Sequence, residues 1–123
     1  MGITVDEFRK ARSTDARTAE ARRIRAKYPD RIPVVACPDP TAHGLPEIDR
    51  HKFLAPATMT MGEMCYVLRK RMKLPPARAM FVFCENNVLP PTSAVLSDLY
   101  AQHKHHDEFL YFTFTTENTF GSP

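Results

Sequence analysis

No apolar run in this 123-residue sequence approaches the roughly 20 residues needed to span a bilayer. The opening residues carry no apolar h-region of a secretory signal. Gly2 fails the myristoylation pattern, which wants Ser or Thr at position 6 and meets Asp6. Cysteine is scarce. Cys37, Cys65 and Cys84 are an odd number with no close pair, which argues against a disulfide framework and for a reducing compartment. There is no internal repeat and no low-complexity tract. The expectation is a cytoplasmic chain that needs a modification or a partner to reach a membrane. What remains is ordinary: 43% hydrophobic and 25% charged residues, with a formal net charge of +3, fit one soluble globular domain able to bury a core without staples.

Thr4-Val5-Asp6-Glu7 matches a capping box, with Phe8 and Ala11 following. A second helix start at Thr14 or Asp15 opens a run through Lys27, stopped before Tyr28-Pro29 because proline restrains its predecessor. Its apolar face is thin (Ala16, Ala19, Ile24) and Arg17, Arg22, Arg23, Arg25 and Lys27 make it basic, so it must lean on the body through Ile24 and Tyr28. Ile32 to Cys37 reads as a strand, with Pro33 marking an edge or bulge on at least one side. A turn through Pro38, Pro40, Gly44 and Pro46 leads to a second strand from Arg50 to Ala55, closed by Pro56. Thr60-Met61-Gly62-Glu63 is another capping box and opens the clearest helix. Met61, Met64, Cys65, Leu68 and Met72 form its apolar stripe, Arg69, Lys70 and Lys73 lie off it, and Pro75-Pro76 ends it. A third strand, Ala79 to Cys84, meets the turn signal Asn86-Asn87, and Pro90 to Ser93 introduce a short helix with Leu96, Leu99 and Tyr100 on one face.

The last strand is the densest aromatic run. Leu110, Phe112 and Phe114 alternate with Phe109, Tyr111 and Thr113, so both faces are largely apolar and the strand is expected at the centre of a sheet covered on both sides. The chain then turns polar from Thr115 to Thr119 and finishes Phe120-Gly121-Ser122-Pro123. By itself a glycine there is an ordinary frayed terminus. The order helix-helix-β-β-α-β-α-β is that of an α+β unit of β-grasp size, with the first and last strands side by side in the middle.

Four stretches, in order along the chain, resemble one family. Lys27-Tyr28-Pro29-Asp30-Arg31-Ile32-Pro33-Val34, Leu68-Arg69-Lys70-Arg71, Asn86 through Ala94, and Phe109-Leu110-Tyr111 with the pair Phe120-Gly121 are similar to the autophagy ubiquitin-like modifiers of the GABARAP and light-chain group. The resemblance implies a ubiquitin-like β-grasp with two extra N-terminal helices. It divides the chain into a helical extension packed on the core (1–27), the ubiquitin-like domain (28–116) and a flexible tail (117–123). It implies that a cysteine protease cuts Gly121-Ser122, and that activating and conjugating enzymes carry Gly121 as a thioester to phosphatidylethanolamine on autophagosomal membranes. A residue without a Cβ lets the backbone enter the narrow channels this chemistry needs. No cofactor, metal or catalytic residue is implied.

The resemblance also implies docking of cargo-receptor peptides of the pattern aromatic-x-x-aliphatic, added as a strand to the sheet edge at Arg50 to Ala55. Glu20, Ile24, Pro33, Val35, Lys52, Leu54 and Phe109 would line an aromatic pocket. Phe53, Ala55, Pro56, Met59, Met64, Val67 and Leu68 would line an aliphatic one, with Arg31, Lys52 and Arg71 meeting the acidic residues of the motif. Lys52 and Phe53 face opposite ways, and a docking role is expected for both. Relatives usually carry bulkier groups than Ala55 and an aromatic residue in place of Met64, so the second pocket is expected to be roomier. Cys84-Glu85 adds one residue before the Asn-Asn turn, as a bulge would.

Other readings compete. An enzyme would need a nucleophile or metal, but each cysteine falls in an apolar stripe and His103, His105, His106, Asp107 and Glu108 read as a solvated loop. A ubiquitin-like interaction module that is never conjugated is a second reading. A basic surface for tubulin, nucleic acid or anionic lipid, resting on Arg17 to Lys27 and Arg69 to Lys73, is a third and is compatible with the conjugable-adaptor role; of these partners, nucleic acid is not expected.

Overall fold

The computed structural model describes residues 3–42 and 45–116. Local chemistry sets most helix starts. Thr4 and Thr60 each accept from the N–H of the glutamate three residues on (3.2 Å in both) and donate their own N–H to its carboxylate (2.9 Å in both), opening α1 (Val5–Lys10) and α3 (Met61–Met72). α2 (Thr14–Lys27) is capped one residue earlier than expected, by Ser13 Oγ accepting from Ala16 N–H at 3.1 Å. α3 stops before the prolines. Lys73 adopts the left-handed conformation (φ 54) and its N–H reaches back to the carbonyls of Arg69 and Lys70. α4 spans Leu96–His103.

The strands β1 (Arg31–Pro38), β2 (Lys52–Pro56), β3 (Met80–Phe83) and β4 (Leu110–Thr116) form one sheet in the order β2-β1-β4-β3. β1 and β4 run parallel at its centre, from Val34 opposite Leu110 to Pro38 opposite Phe114, and the outer strands pair antiparallel. Ala36 N–H donates to His51 carbonyl at 2.9 Å, which fixes the alternation: Pro33, opposite Leu54, occupies a non-hydrogen-bonded position of the β1–β2 ladder. Its missing N–H faces the β4 side, where pairing begins only at Val34, so the proline removes no ladder bond. β4 runs further than expected. Thr115 and Thr116, read as the start of a polar tail, are buried strand residues opposite Phe81 and Met80, because β3 needs partners for its first two positions. An irregular turn at Glu85–Asn87 carries two left-handed asparagines, Asn86 (φ 63) and Asn87 (φ 58).

The alternation sorts the core into two layers. Ile32, Val34, Ala36, Phe53, Ala55, Leu110, Phe112 and Phe114 pack with Met61, Met64, Leu68 and Met72 of α3 and with Leu96, Leu99 and Tyr100 of α4, while Cys65 is only half-buried. On the opposite face Val35, Cys37, Phe109 and Tyr111 pack under Ala21 of α2, with Val5, Phe8 and Ile24 beside them. α2 therefore leans on the sheet through Ala21, Ile24 and, against expectation, Arg17, whereas Tyr28 is 39% exposed. Arg17 is withdrawn from the basic stripe by Asp107, which is fully buried and accepts from its guanidinium. No described helix is long and apolar enough to cross a membrane.

Candidate functional site

β2 is an edge strand. Because His51, Phe53 and Ala55 turn their backbones toward β1, the N–H and C=O groups of Lys52 and Leu54 point outward, free to template another strand. The Leu54 carbonyl accepts a long bond from Arg31 Nη1 at 3.4 Å. The same alternation sends the side chains of Lys52 and Leu54 to the α2 face. There α2 stands off from the edge and leaves a cleft of about 370 Å³ lined by Glu20, Ile24, Arg50, Lys52, Phe53, Leu54 and Phe109. Leu54 is 43% exposed beside it, a large apolar side chain with no core to enter.

Of the residues expected around an aromatic pocket, Glu20, Ile24, Lys52, Leu54 and Phe109 come together on this cleft. Val35 is buried in the same layer as Phe109, and Pro33 is buried in β1, and neither reaches the lining. The cleft also contains Arg50, which precedes β2, and Phe53. Phe53 is buried in the α3-side core and also contributes to the lining of the cleft. Ala55, Met64 and Leu68 are buried in that core, and Pro56, Met59 and Val67 are partly buried around them. Here the expected aliphatic set forms a packed layer. Arg31 and Arg71 are exposed, Arg71 bonding Asp49 at 3.2 Å. Phe120 and Gly121, with the bond to Ser122, lie outside the described residues.

Electrostatics at the cleft centre on Glu20. Lys52 Nζ donates to one carboxylate oxygen at 2.8 Å and Arg12 to the other. Burial alone would raise the Glu20 carboxyl, but the bonds from Lys52 and Arg12 outweigh it and hold it below the usual carboxylate range. An acidic ligand must therefore compete with Glu20 for Lys52. Arg12 carried no signal in the sequence, since it lies in the turn between α1 and α2 and its partner is eight positions along in α2.

The other reactive residue types are committed to structure. Burial pushes the Cys37 thiol up to about 12 and the Cys84 thiol to about 11, and raises Cys65 as well, away from the thiolate that nucleophilic chemistry needs. His105 Nδ1 meets Glu85 at 2.7 Å, a carboxylate that Arg9 of α1 also binds. Among the described residues no three His, Cys, Asp or Glu side chains are grouped to hold a metal ion.

Comparison with known proteins gives a consistent result. Residues 16–121 match the family described as "Autophagy protein Atg8 ubiquitin like". The chain is 47% identical to Autophagy-related protein 8d of Arabidopsis thaliana over 119 residues, covering 97% of this chain and 98% of that protein. It is 49% identical to Autophagy-related protein 8 of Emericella nidulans over 115 residues, 94% of this chain and 96% of the relative. The crystal structure of Trypanosoma brucei ATG8 superposes with a TM-score of 0.85 at 35% identity, over 93% of this chain and 97% of that one.

Proposed function

This chain belongs to the Atg8 family of ubiquitin-like autophagy proteins, and from that premise we propose that it is a conjugable, non-catalytic adaptor. A cysteine protease hydrolyses the Gly121-Ser122 bond. An activating enzyme uses a nucleoside triphosphate to turn the Gly121 carboxylate into an acyl nucleotide with release of pyrophosphate. An enzyme thiol displaces the nucleoside monophosphate to give a thioester that passes to the conjugating enzyme, and the amine of phosphatidylethanolamine displaces that thiol to form an amide. The protein passes in this way from the cytoplasm to the autophagosomal membrane. Once there it holds cargo receptors through short peptides that extend the sheet along β2.

The observation that carries the docking half is the cleft between α2 and the outward edge of β2. It joins outward-facing backbone groups at Lys52 and Leu54, an apolar floor at Phe109 and a cation at Lys52, as strand addition by an acidic, aromatic-bearing peptide requires. The conjugation half is supported by the family and by β4, which carries the chain through the sheet centre to Thr116, five positions before Gly121. The non-catalytic role is supported by three thiols all shifted toward the protonated form.

Two measurements test it. Intact mass and membrane fractionation should show loss of Ser122-Pro123 and a lipid-bearing form, both abolished by Gly121→Ala; a variant that distributes and migrates like the parent removes the conjugation step. In calorimetric titration with a receptor peptide, Lys52→Glu and Leu54→Ser should each weaken binding about tenfold, roughly 1.4 kcal/mol. Parent-like affinity in both would place the peptide elsewhere.

A further inference from the structure

Topology brings the end of the described chain and a second cleft to one pole of the molecule. Thr116 is paired with Met80, the first residue of β3, and the loop 74–79 joins Met80 to the C-terminal end of α3. That loop is folded onto the helix by Arg69, whose guanidinium donates to the Pro75 carbonyl at 3.0 Å. Beside it lies an apolar cleft of about 370 Å³ formed by Tyr66, Leu74 and Pro76 and ringed by Arg69, Lys70 and Lys73. Among the described residues no acidic side chain lines this cleft. Lys70 stands 5.2 Å from the centroid of the Tyr66 ring, and neither Lys70 nor Lys73 has an ion-pair partner among the described residues. Tyr66 is 61% exposed, the most exposed large apolar or aromatic side chain among the described residues.

The other basic stripe is differently placed and largely spent. Because β1 and β4 are parallel, α2 ends next to the start of β1 and so at the pole opposite Thr116. Of its cations, Arg17 is buried against Asp107, Arg22 bonds Glu108 at 2.7 Å, and Arg25 donates to the carbonyls of Pro29 and Arg31.

We propose that the Tyr66, Arg69, Lys70 and Lys73 surface is a contact site for an anionic lipid bilayer and turns this pole toward the membrane. The inference rests on the conjugation reading for its geometry. Five residues from Thr116 to Gly121 span at most about 17 Å, so a chain bonded to a lipid headgroup at Gly121 keeps this pole close to the surface. Electrostatic attraction to anionic lipid acts over about 8 Å at physiological salt, within which each cation counts. Tyr66 offers the ring and polar tip that suit the headgroup level, and the lysine stems lie along apolar surface while their ammonium groups reach anions. Orientation by this surface leaves the β2 edge, across the sheet from β3, clear of the bilayer.

The test uses the full, unconjugated chain and vesicles of phosphatidylcholine with or without phosphatidylserine, read by sedimentation at low and at physiological salt. The parent should bind the phosphatidylserine vesicles preferentially and more weakly as salt rises. Lys70→Gln with Lys73→Gln should lower that binding about 25-fold, roughly fivefold for each cation. Arg23→Gln with Lys27→Gln, on the opposite pole, should leave it unchanged, and circular dichroism and thermal melting should show both pairs folded. The proposal is overturned if the parent treats the two vesicle types alike, if the Lys70 and Lys73 pair binds like the parent, or if the Arg23 and Lys27 pair is the one that loses binding. It is equally overturned if Lys70 and Lys73 capture an acidic peptide while no vesicle binds. Gly121→Ala should bind vesicles like the parent in this assay, so failure of conjugation and failure of the lipid surface are read separately.

Discussion

Arg17 and Asp107 are the residues whose chemistry departs furthest from their neighbours'. The guanidinium donates to Asp107 and to Thr14 Oγ1 (3.2 Å), and the other Asp107 oxygen accepts from Phe109 N–H at 2.9 Å. Tyr111 donates its hydroxyl to the same carboxylate at 2.5 Å, and its pKa is pushed up to about 12 by burial and by that bond. A buried pair of this kind is costly to break because the surviving charge has no water. Asp107→Ala should therefore destabilise the protein by about 3–5 kcal/mol in urea unfolding. The double change Arg17→Met with Asp107→Leu removes both charges and should recover most of the loss. A loss below about 1 kcal/mol for the single change, or simple additivity in the double, would show that the pair does not hold α2 to β4. Nothing in the sequence announces this pair. Arg17 is followed by a run of solvated arginines, and its partner lies 90 positions away in what reads as a polar loop.

Elements were legible where their cause is local. Both capping boxes and the methionine stripe of α3 depend on residues three and four apart, and each is realised in place. Thr60 does more than cap, since it also bridges to Val95 ahead of α4. Thr60→Ala should cost about 1 kcal/mol in urea unfolding, and Thr60→Ser, which keeps the hydroxyl, should cost little. Equal losses in the two would mean that the methyl packing rather than the cap matters. Boundaries set by tertiary partners were read less well. Lys73 ends α3 in a left-handed turn usually given to glycine, and Thr115 and Thr116 are strand because β3 lies alongside. The cleft was legible as far as family resemblance carried it, to Glu20, Ile24, Lys52, Leu54 and Phe109. Arg50 follows from strand alternation, on the same face as Lys52 and Leu54, whereas Arg12 entered through side-chain reach, for which the chain offers no periodic signal.

Taken whole, the molecule is a sheet with a different charge economy on its two faces, and its stability should record that in acid. On the α1–α2 face, burial first and then Arg9 lower the pKa of His105 from its ordinary 6.5, although Glu85 and Asp107 pull the other way and His106 adds to the lowering. Tyr111 packs its ring edge-on against the same imidazole, 5.4 Å between centroids. A histidine with a depressed folded pKa takes its proton first in the unfolded chain, so its contribution is complete above about 6.5 and is lost as pH falls through the folded value. Glu20 has the same sign at lower pH: its carboxyl, held below the ordinary 4.5 by Lys52 and Arg12 against burial, stabilises above that value and ceases to do so as the folded group is protonated. Urea midpoints should accordingly fall in two steps on acidification, the first opening near pH 6.5 with a slope of at most about 1.4 kcal/mol per pH unit for one proton. His105→Gln should flatten the first step and leave the second. Glu20→Gln should do the reverse. If His105→Gln tracks the parent below pH 6.5, the imidazole is not the group that takes up the proton, and the contact of α1 with Glu85 and His105 does not set the acid response.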